Sequence, residues 1–380
     1  MTERPPGRVA LVAVVGGNRH HRQQVRAALL SLYRVHEYPD AEAALPCLRA
    51  DPPDVLLVDE PIPPRDGFDF VRKLRWEQAF VHTPIILTVK AGDAASATAP
   101  VPGTAPDLEQ QLVRQCGADA AMTKPYTRSV LIKTVTALRN RDVERAWHDL
   151  PATQRAALNG TVEVFNSFAD TIATGEPLPF SHVTDSCRPL VEAIGKQDFK
   201  RILAGVKHHD NYSYVHSLRV ATLLALFGQA AGLGDDDQLL LASGGLLHDV
   251  GKLTVPHEVL NKPGRLDAAE FAVMQTHVPE TVRLLRGSPA IPGPIITIAE
   301  QHHEKLNGQG YPNGLASAQL NELARMAAIV DVFSALTDRR IYKPPMPAET
   351  ALGIMSGQMA EHLDQHFLSL FRTMLLDAVV

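Results

Sequence analysis

The sequence predicts a multidomain protein in which an α/β doubly wound domain is followed by an all-α domain. Over the first 140 positions, short apolar runs rich in β-branched residues alternate with apolar residues at helical spacing. From about residue 150 onward only helical spacing recurs, interrupted by glycine and proline. The length of 380 residues fits two or three domains, and 45% hydrophobic with 21% charged residues is typical of a globular protein.

Three apolar runs define the predicted parallel sheet of the first domain. They are residues 8–16, residues 54–60 and the run TPIILTV near Thr83. Helical spacing continues after the first run to Leu32, and it recurs from Phe68 to Leu74 between the second run and the third. Strands that alternate with helices form parallel βαβ units, whose functional site lies at the carboxyl ends of the strands.

Two further segments complete the first domain. Residues 91–106 are rich in Ala, Pro, Thr and Gly without periodicity, so we expect an extended flexible loop there. Residues 129–147 have helical spacing and increasing charge. We expect them to form a connecting helix that carries the chain out of this domain.

Charge and cysteine content exclude several classes of protein. A net charge of −5 gives no general attraction to DNA or to anionic lipid. The three cysteines are far apart and show no CxxC spacing, so they predict neither a disulfide framework nor a zinc ribbon. The N-terminus resembles no targeting signal, and the longest uncharged run, residues 220–234, is too short to span a bilayer. We therefore expect a cytoplasmic protein that binds neither DNA nor membranes.

A motif follows the second predicted strand with the spacing D-x-x-x-P-x-x-D-G. Its residues are Asp59, Pro63, Asp66 and Gly67, with Thr88 and Lys124-Pro125 near the ends of later apolar runs. On these residues, positions 8–140 resemble a response-regulator receiver domain, and we assign residues 6–140 to it. The resemblance implies that Asp59 stands at the position of the phosphoacceptor.

The acidic pair that such a domain needs after its first strand is missing. Phosphorylation in that family depends on Mg²⁺, which prefers carboxylate oxygens as ligands. Gly16 and Gly17 occupy the place of those acids. We therefore expect Asp59 to be phosphorylated poorly and the domain to serve in docking or dimerisation.

Histidine is frequent in the second domain, which holds half of the sixteen histidines between His208 and His303. Seven side chains in this part of the chain are candidate metal ligands: His216, His248, Asp249, His277, His302, His303 and Asp331. Imidazoles together with carboxylates suit divalent ions such as iron, manganese, cobalt, nickel or zinc. Seven ligands exceed the need of one tetrahedral ion and are enough for two ions that share a carboxylate.

Three blocks around these residues carry a family resemblance. They are LLHDVGKLTVPHEVLNKPGRL, HHEKLNGQGYP at residues 302–312 and RMAAIVDVFSALTDRRIYK. On these blocks, residues 200–345 resemble an HD-GYP domain, the branch of the HD phosphohydrolases that hydrolyses cyclic di-GMP. The second block departs from the usual pattern by Asn307 in place of Asp. We assign residues 200–380 to this domain, and residues 141–199 to the connecting helix and the first helices of the output domain.

The resemblance implies how the seven side chains divide between two ions. His216, His248, Asp249 and Asp331 would hold the first ion, and His277, His302 and His303 the second, with Asp249 shared. Iron or manganese would be the first choice, with nickel, cobalt or zinc as alternatives. Some members carry a glutamate four residues before the first histidine and bind a third ion. Tyr212 stands there in this chain, so we expect two ions.

The resemblance also implies a reaction and a set of substrate contacts. Asp249 and Lys252 would be catalytic, and Lys252 would lie on a phosphate oxygen. The residues expected to contact the substrate are Lys252, Arg325, Arg340, Tyr311 and Pro312. The product would be linear pGpG, and further cleavage to GMP is left open.

Two other functions remain open at this point. The chain could be a receptor or docking protein for cyclic di-GMP with negligible turnover, or an HD phosphohydrolase of another cyclic dinucleotide. Beyond cyclic di-GMP, diguanylate cyclase domains, a sensor kinase and a second copy of the chain are candidate partners. Five other histidines are expected outside the ion site: His208, His209, His257, His362 and His366. The last two have i, i+4 spacing, and we expect them to form a helical pair on a solvated face instead of a metal site.

Overall fold

The computed structural model describes residues 10–30, 32–62, 66–90, 108–262, 264–338 and 346–379. The chain divides into two compact units that meet in sequence between Arg141 and Asp142. The finer division into residues 6–140, 141–199 and 200–380 stays a prediction. None of the described helices is both long and apolar enough to cross a bilayer.

The first unit contains a five-stranded parallel sheet with helices between its strands. The strands are β1 (Leu11–Gly16), β2 (Arg34–Tyr38), β3 (Val55–Asp59), β4 (Ile85–Lys90) and β5 (Ala120–Lys124). The helices are α1 (Arg19–Leu29), α2 (Ala41–Ala50), α3 (Gly67–Trp76), α4 (Leu108–Cys116) and α5 (Arg128–Ala146). The strand order β2-β1-β3-β4-β5 confirms the predicted doubly wound α/β fold.

The register of the sheet brings the receiver motif to one edge. Gly16 at the end of β1 pairs with Asp59 of β3, and Asp59 pairs with Thr88 of β4. Lys90 of β4 pairs with Lys124 at the end of β5. The carboxyl ends of the parallel strands therefore place Asp59, Thr88 and Lys124 together, as the sequence motif predicts.

Two features of this unit differ from the sequence prediction. Strands β2 and β5 and helices α2 and α4 were not predicted. The sequence RVHEY of β2, for example, contains no apolar run and is partly exposed. Helix α1 ends at Leu29 instead of continuing to Leu32, since the amides of Leu32 and Tyr33 both donate to the Leu29 carbonyl in a turn. The predicted loop at residues 91–106 lies outside the described residues.

The second unit is helical in its described part, which confirms the predicted all-α fold. Its helices are α6 (Ala152–Thr174), α7 (Phe180–Gly195), α8 (Lys200–Val206), α9 (Tyr212–Ala230), α10 (Asp235–Leu247), α11 (His257–Leu260), α12 (Ala268–Gln275), α13 (His277–Arg286), α14 (Gly293–Gln301), α15 (Glu322–Thr337), α16 (Ala348–Ser356) and α17 (Gln365–Val379). Helix α9 is buried around most of its circumference and packs against α7, α10, α15 and α17. A helix that is apolar nearly all round lies in a core, so His216 on α9 is held deep inside this unit.

Candidate metal centre

Seven side chains converge in the helical unit in two groups that share Asp249. One group is His216, His248, Asp249 and Asp331, and the other is Asp249, His277, His302 and His303. Within each group the potential ligand atoms lie within 4.8 Å of one another, and all but the partly buried His303 are buried. The structure thus brings together the side chains that were singled out from the sequence, in the same two sets. Their role as ligands stays a prediction.

Three of the histidines lie just beyond the carboxyl ends of helices. His248 follows α10, His277 comes two residues after α12, and His302 follows α14. Their Nδ1 atoms lie 2.7 Å from the carbonyl of Gly245, 2.6 Å from that of Met274 and 2.9 Å from that of Ala299, respectively. Helix ends leave such carbonyls without donors from the helix itself. Because a carbonyl can only accept, each imidazole donates from Nδ1 and keeps the Nε2 lone pair for the cluster.

Four buried polar atoms that face one another inside the cluster lack hydrogen-bond partners in the described part of the chain. In the described part of the chain, Nε2 of His248, His277 and His302 and Oδ1 of Asp249 are buried without a hydrogen-bond partner. Asp249 Oδ1 lies 3.2 Å from His277 Nε2 and 3.7 Å from His302 Nε2. Buried acceptors that oppose one another are costly unless a cation or a proton lies between them. The donor set therefore fits divalent cations.

Burial lowers the pKa of three histidines of the cluster, and neighbouring charges hold the pKa of Asp249 low. Burial lowers the pKa of His248 and His277 despite the opposing charge of Asp249, and burial with the charge of His302 lowers the pKa of His303 well below its usual range. Burial alone would raise the pKa of Asp249, but the charges of His248 and Lys252 hold it well below the ordinary value. Neutral imidazoles and ionised carboxylates are the forms that bind metal ions.

His216 is bound differently from the other histidines. Its Nε2 lies 2.9 Å from Asp331 Oδ1, and its Nδ1 lies 3.4 Å from Asp338 Oδ2. Burial opposes protonation, but these two carboxylates raise the pKa of His216 to about 9. The ring of Tyr212 stacks on that of His216, with 6.0 Å between centroids and 19° between planes. Asp338 was missed from the sequence, although it lies in the same block as Asp331.

The turn after the HD pair brings Lys252 to the shared carboxylate. Residues Val250–Thr254 form a 3₁₀ turn, and the Lys252 ammonium donates to Asp249 Oδ2. A Cβ atom on Gly251 would lie 2.2 Å from the carbonyl oxygen of His277. Glycine is therefore required by close approach to α13.

The loop that contains Gly310, Tyr311 and Pro312 is fixed beside the second histidine group. The buried Glu304 carboxylate accepts from the amides of Asn313 at 2.6 Å and Leu315 at 3.0 Å. The Tyr311 ring, followed by Pro312, lies 4.7 Å from the His303 ring between centroids. This arrangement places Tyr311 next to the cluster, and its substrate contact stays a prediction.

Of the two arginines predicted to contact the substrate, the structure describes only Arg325. Arg325 donates to the carbonyls of Leu320 and Ser317 at 3.2 and 3.1 Å and to Asp364 at 3.3 Å, so its guanidinium holds local loop structure. Arg340 lies outside the described residues. The substrate role of both arginines stays a prediction.

Among the residues that the structure describes, the other histidines do not belong to the two groups. His209 is buried against Trp147, with 6.0 Å between ring centroids, and its Nε2 lies 3.4 Å from Glu144. The expected helical pair of His362 and His366 is wrong, because α17 begins at Gln365 and only His366 lies on it. His208 is exposed, and the side chain of His257 lies outside the description.

Asp59 in the sheet unit is fully engaged by neighbouring side chains. Thr88 Oγ1 donates to Asp59 Oδ1 at 2.8 Å, Lys124 donates to the same oxygen, and His21 Nδ1 lies 2.9 Å from Oδ2. Burial opposes ionisation, but His21 and Lys124 lower the pKa of Asp59. A Cβ on Gly16 would lie 2.5 Å from Asp59 Cβ. His21 was missed from the sequence because no spacing links it to Asp59.

A large part of the helical unit matches a known protein family. Residues 201–367 match the family model of the HD domain. This part of the chain is similar to the HD domain family. The match confirms the resemblance predicted from the sequence, and the two histidine groups lie inside the matched range.

Three similar proteins carry informative names. A cyclic di-GMP phosphodiesterase of Pseudomonas aeruginosa is 37% identical over 154 residues, which cover 40% of this chain and 37% of that protein. A 3'3'-cGAMP-specific phosphodiesterase of Vibrio cholerae is 37% identical over 154 residues, with 40% and 33% covered. A cyclic di-GMP phosphodiesterase response regulator of Xanthomonas campestris is 25% identical over 334 residues, with 87% and 78% covered. The chain thus spans about a third of the length of the first two.

Proposed function

We propose that this chain is a metal-dependent phosphodiesterase that hydrolyses cyclic di-GMP to linear pGpG. The observation that carries the proposal is the set of buried Nε2 atoms without hydrogen-bond partners that face Asp249, inside the range that matches the HD domain. The names of the Pseudomonas and Xanthomonas relatives support the reaction and the substrate.

The residues of the cluster would each hold a defined part of the reaction. Two bound divalent ions supply an activated water and neutralise charge on the phosphodiester. Asp249 lies in both groups and would join the ions, while carbonyls in the last turns of α10, α12 and α14 keep three imidazoles in the tautomer that binds metal. Lys252 brings a compact positive charge to the same place, where it would meet a phosphate oxygen.

The identity of the ions follows from ligand type. Imidazole and carboxylate ligands without thiolate suit iron or manganese, and nickel, cobalt or zinc would also be accepted. We propose two ions per chain, because the described side chains form two groups and Tyr212 replaces a carboxylate on α9.

The sheet unit supports a docking role. Asp59 is occupied by three side chains and Gly16 leaves no carboxylate for Mg²⁺. We propose that residues 6–140 form a receiver-type domain used for docking, residues 141–199 connect it to the output domain, and residues 200–380 form that output domain. A sensor kinase, diguanylate cyclase domains and a second copy of the chain are its candidate partners.

The test compares two cyclic dinucleotides on the same protein. The full chain, loaded anaerobically with Fe²⁺ or Mn²⁺, is incubated with cyclic di-GMP or 3'3'-cGAMP, and the products are separated by chromatography. Faster conversion of cyclic di-GMP to pGpG supports the proposal. Faster conversion of 3'3'-cGAMP would reassign the substrate, and binding of cyclic di-GMP without product would make the chain a receptor.

A further inference from the structure

His216 lacks the main-chain partner that the other buried histidines of the cluster use. His248, His277 and His302 donate to carbonyls at helix ends. His216 lies inside α9, where the preceding carbonyls accept from amides of the same helix. Its Nδ1 instead faces Asp338, whose Oδ2 lies 3.4 Å away. The Asp338 carboxylate therefore takes the place that main-chain carbonyls have beside the other three histidines.

Asp338 is itself held in place from two directions. It caps the carboxyl end of α15, its amide donates to the Ser334 carbonyl at 2.8 Å, and only 7% of the residue is exposed. Its other oxygen, Oδ1, accepts from Arg219 Nη1 at 2.6 Å, and Arg219 Nη2 donates to Thr337 Oγ1 at 2.7 Å. Arg219 follows His216 by three residues on α9. The carboxylate is thus fixed against the same helix that carries the histidine.

We infer that Asp338, anchored by Arg219, is a positioning residue that orients His216 toward the ion held by the first group. An acceptor for the outer N–H of a ligating histidine fixes its tautomer and orientation and makes the imidazole a stronger ligand. The effect is confined to the group of His216, because the second group has its own carbonyl partners. The inference rests on the proposed ion site and is independent of the substrate.

The experiment measures ion affinity group by group. Ion-free full-length protein is titrated with Mn²⁺ against a chromophoric chelator to obtain two stepwise constants, for the unmodified chain and for Asp338→Asn. The Asn side chain keeps the volume but loses the charge. The matched control is Asp364→Asn, which makes the same change at a carboxylate 3.3 Å from Arg325 and outside both groups. Circular dichroism and thermal unfolding monitor the fold.

Asp338→Asn should weaken one of the two constants by about 10- to 100-fold and leave the other unchanged, as expected for the partner of a ligating histidine. The control should change neither constant. If Asp338→Asn does not fold, Arg219→Gln, which releases the carboxylate, should weaken the same constant. Two unchanged constants in a folded variant, or equal weakening of both, would overturn the inference alone. Failure of the unmodified chain to bind two ions would overturn the proposed function as well.

Discussion

At the scale of single residues, Asp249 is the side chain on which the two histidine groups depend. Its two oxygens face different partners, with His277 Nε2 3.2 Å from Oδ1 and His248 Nε2 3.1 Å from Oδ2. Lys252 adds a third contact at Oδ2. Removing this one carboxylate therefore disturbs both proposed ions.

Replacing Asp249 by Ala should abolish hydrolysis and leave the helical fold intact. We expect a loss of rate greater than the roughly 10- to 100-fold that follows removal of a partner beyond the ligands themselves, because a shared ligand is lost. A phosphodiesterase assay and circular dichroism measure the two effects. Asp236→Ala, on the exposed first turn of α10, is the control. Unmodified activity in Asp249→Ala would contradict the two-ion mechanism.

Tyr212 determines the expected number of ions. Its phenol lies one helical turn before His216 and stacks on that ring. A tyrosine side chain provides no carboxylate ligand, and its hydroxyl is neutral near pH 7. Elemental analysis after anaerobic loading should find at most two ions per chain. Tyr212→Glu places an oxygen ligand on the same helix face and should raise the count toward three. Three tightly held ions in the unmodified chain would show that this interpretation of α9 is wrong.

At the scale of elements, the helices around the cluster make ion binding dependent on pH. His216 on α9 has a pKa raised to about 9 by Asp331 of α15 and by Asp338, so it carries a proton at neutral pH when no ion is bound. A ligating imidazole must give up its Nε2 proton. Loading therefore releases this proton, and the affinity of the first group should rise about tenfold per pH unit from 6.5 to 9.

Calorimetry in two buffers of different ionisation enthalpy measures this proton release. At pH 7 the difference in binding enthalpy between the buffers should correspond to the release of close to one proton when the ion of the first group binds. Ion binding with no buffer dependence would contradict the raised pKa of His216. Asp331→Asn should reduce the release, since it removes the first of the two carboxylates that hold the proton.

The carboxyl edge of the sheet predicts poor phosphorylation of the first unit. Asp59 is engaged by Thr88, Lys124 and His21, and β1 ends in Gly16 where Mg²⁺ would need an acid. Intact mass after treatment with acetyl phosphate and Mg²⁺ should show little modification. Gly16→Asp should not restore it, because a Cβ there would lie 2.5 Å from Asp59 Cβ. Stoichiometric modification at Asp59 would contradict a docking role.

At the scale of the whole molecule, the sequence predicted elements that follow an apolar pattern and motifs with fixed spacing. Strands β1, β3 and β4 are mostly apolar runs, whereas β2 is partly exposed and has no apolar run that would predict a strand. Five of the seven cluster side chains lie in the three sequence blocks, and His216 and His277 lie outside them. Their grouping was then supplied by a family resemblance.

The residues that sequence reasoning missed act across long separations in the chain. Asp338 contacts His216 across a separation of 122 positions in the sequence. The hydroxyl of Tyr126 lies 2.5 Å from His21 Nε2, across a separation of 105 positions. Neither pair follows a periodic pattern, and each partner alone would be an ordinary polar residue. Such contacts depend on how helices and strands pack, so they become visible only in the folded chain.

The most direct test of a two-ion cyclic di-GMP phosphodiesterase follows hydrolysis as a function of bound metal. Ion-free full-length protein is loaded stepwise with Mn²⁺, bound metal is determined by elemental analysis, and conversion of cyclic di-GMP to pGpG is measured at each step. We predict no conversion in the ion-free protein and maximal conversion at two ions per chain. Conversion without bound metal, or two bound ions with cyclic di-GMP held but uncleaved, would contradict the account.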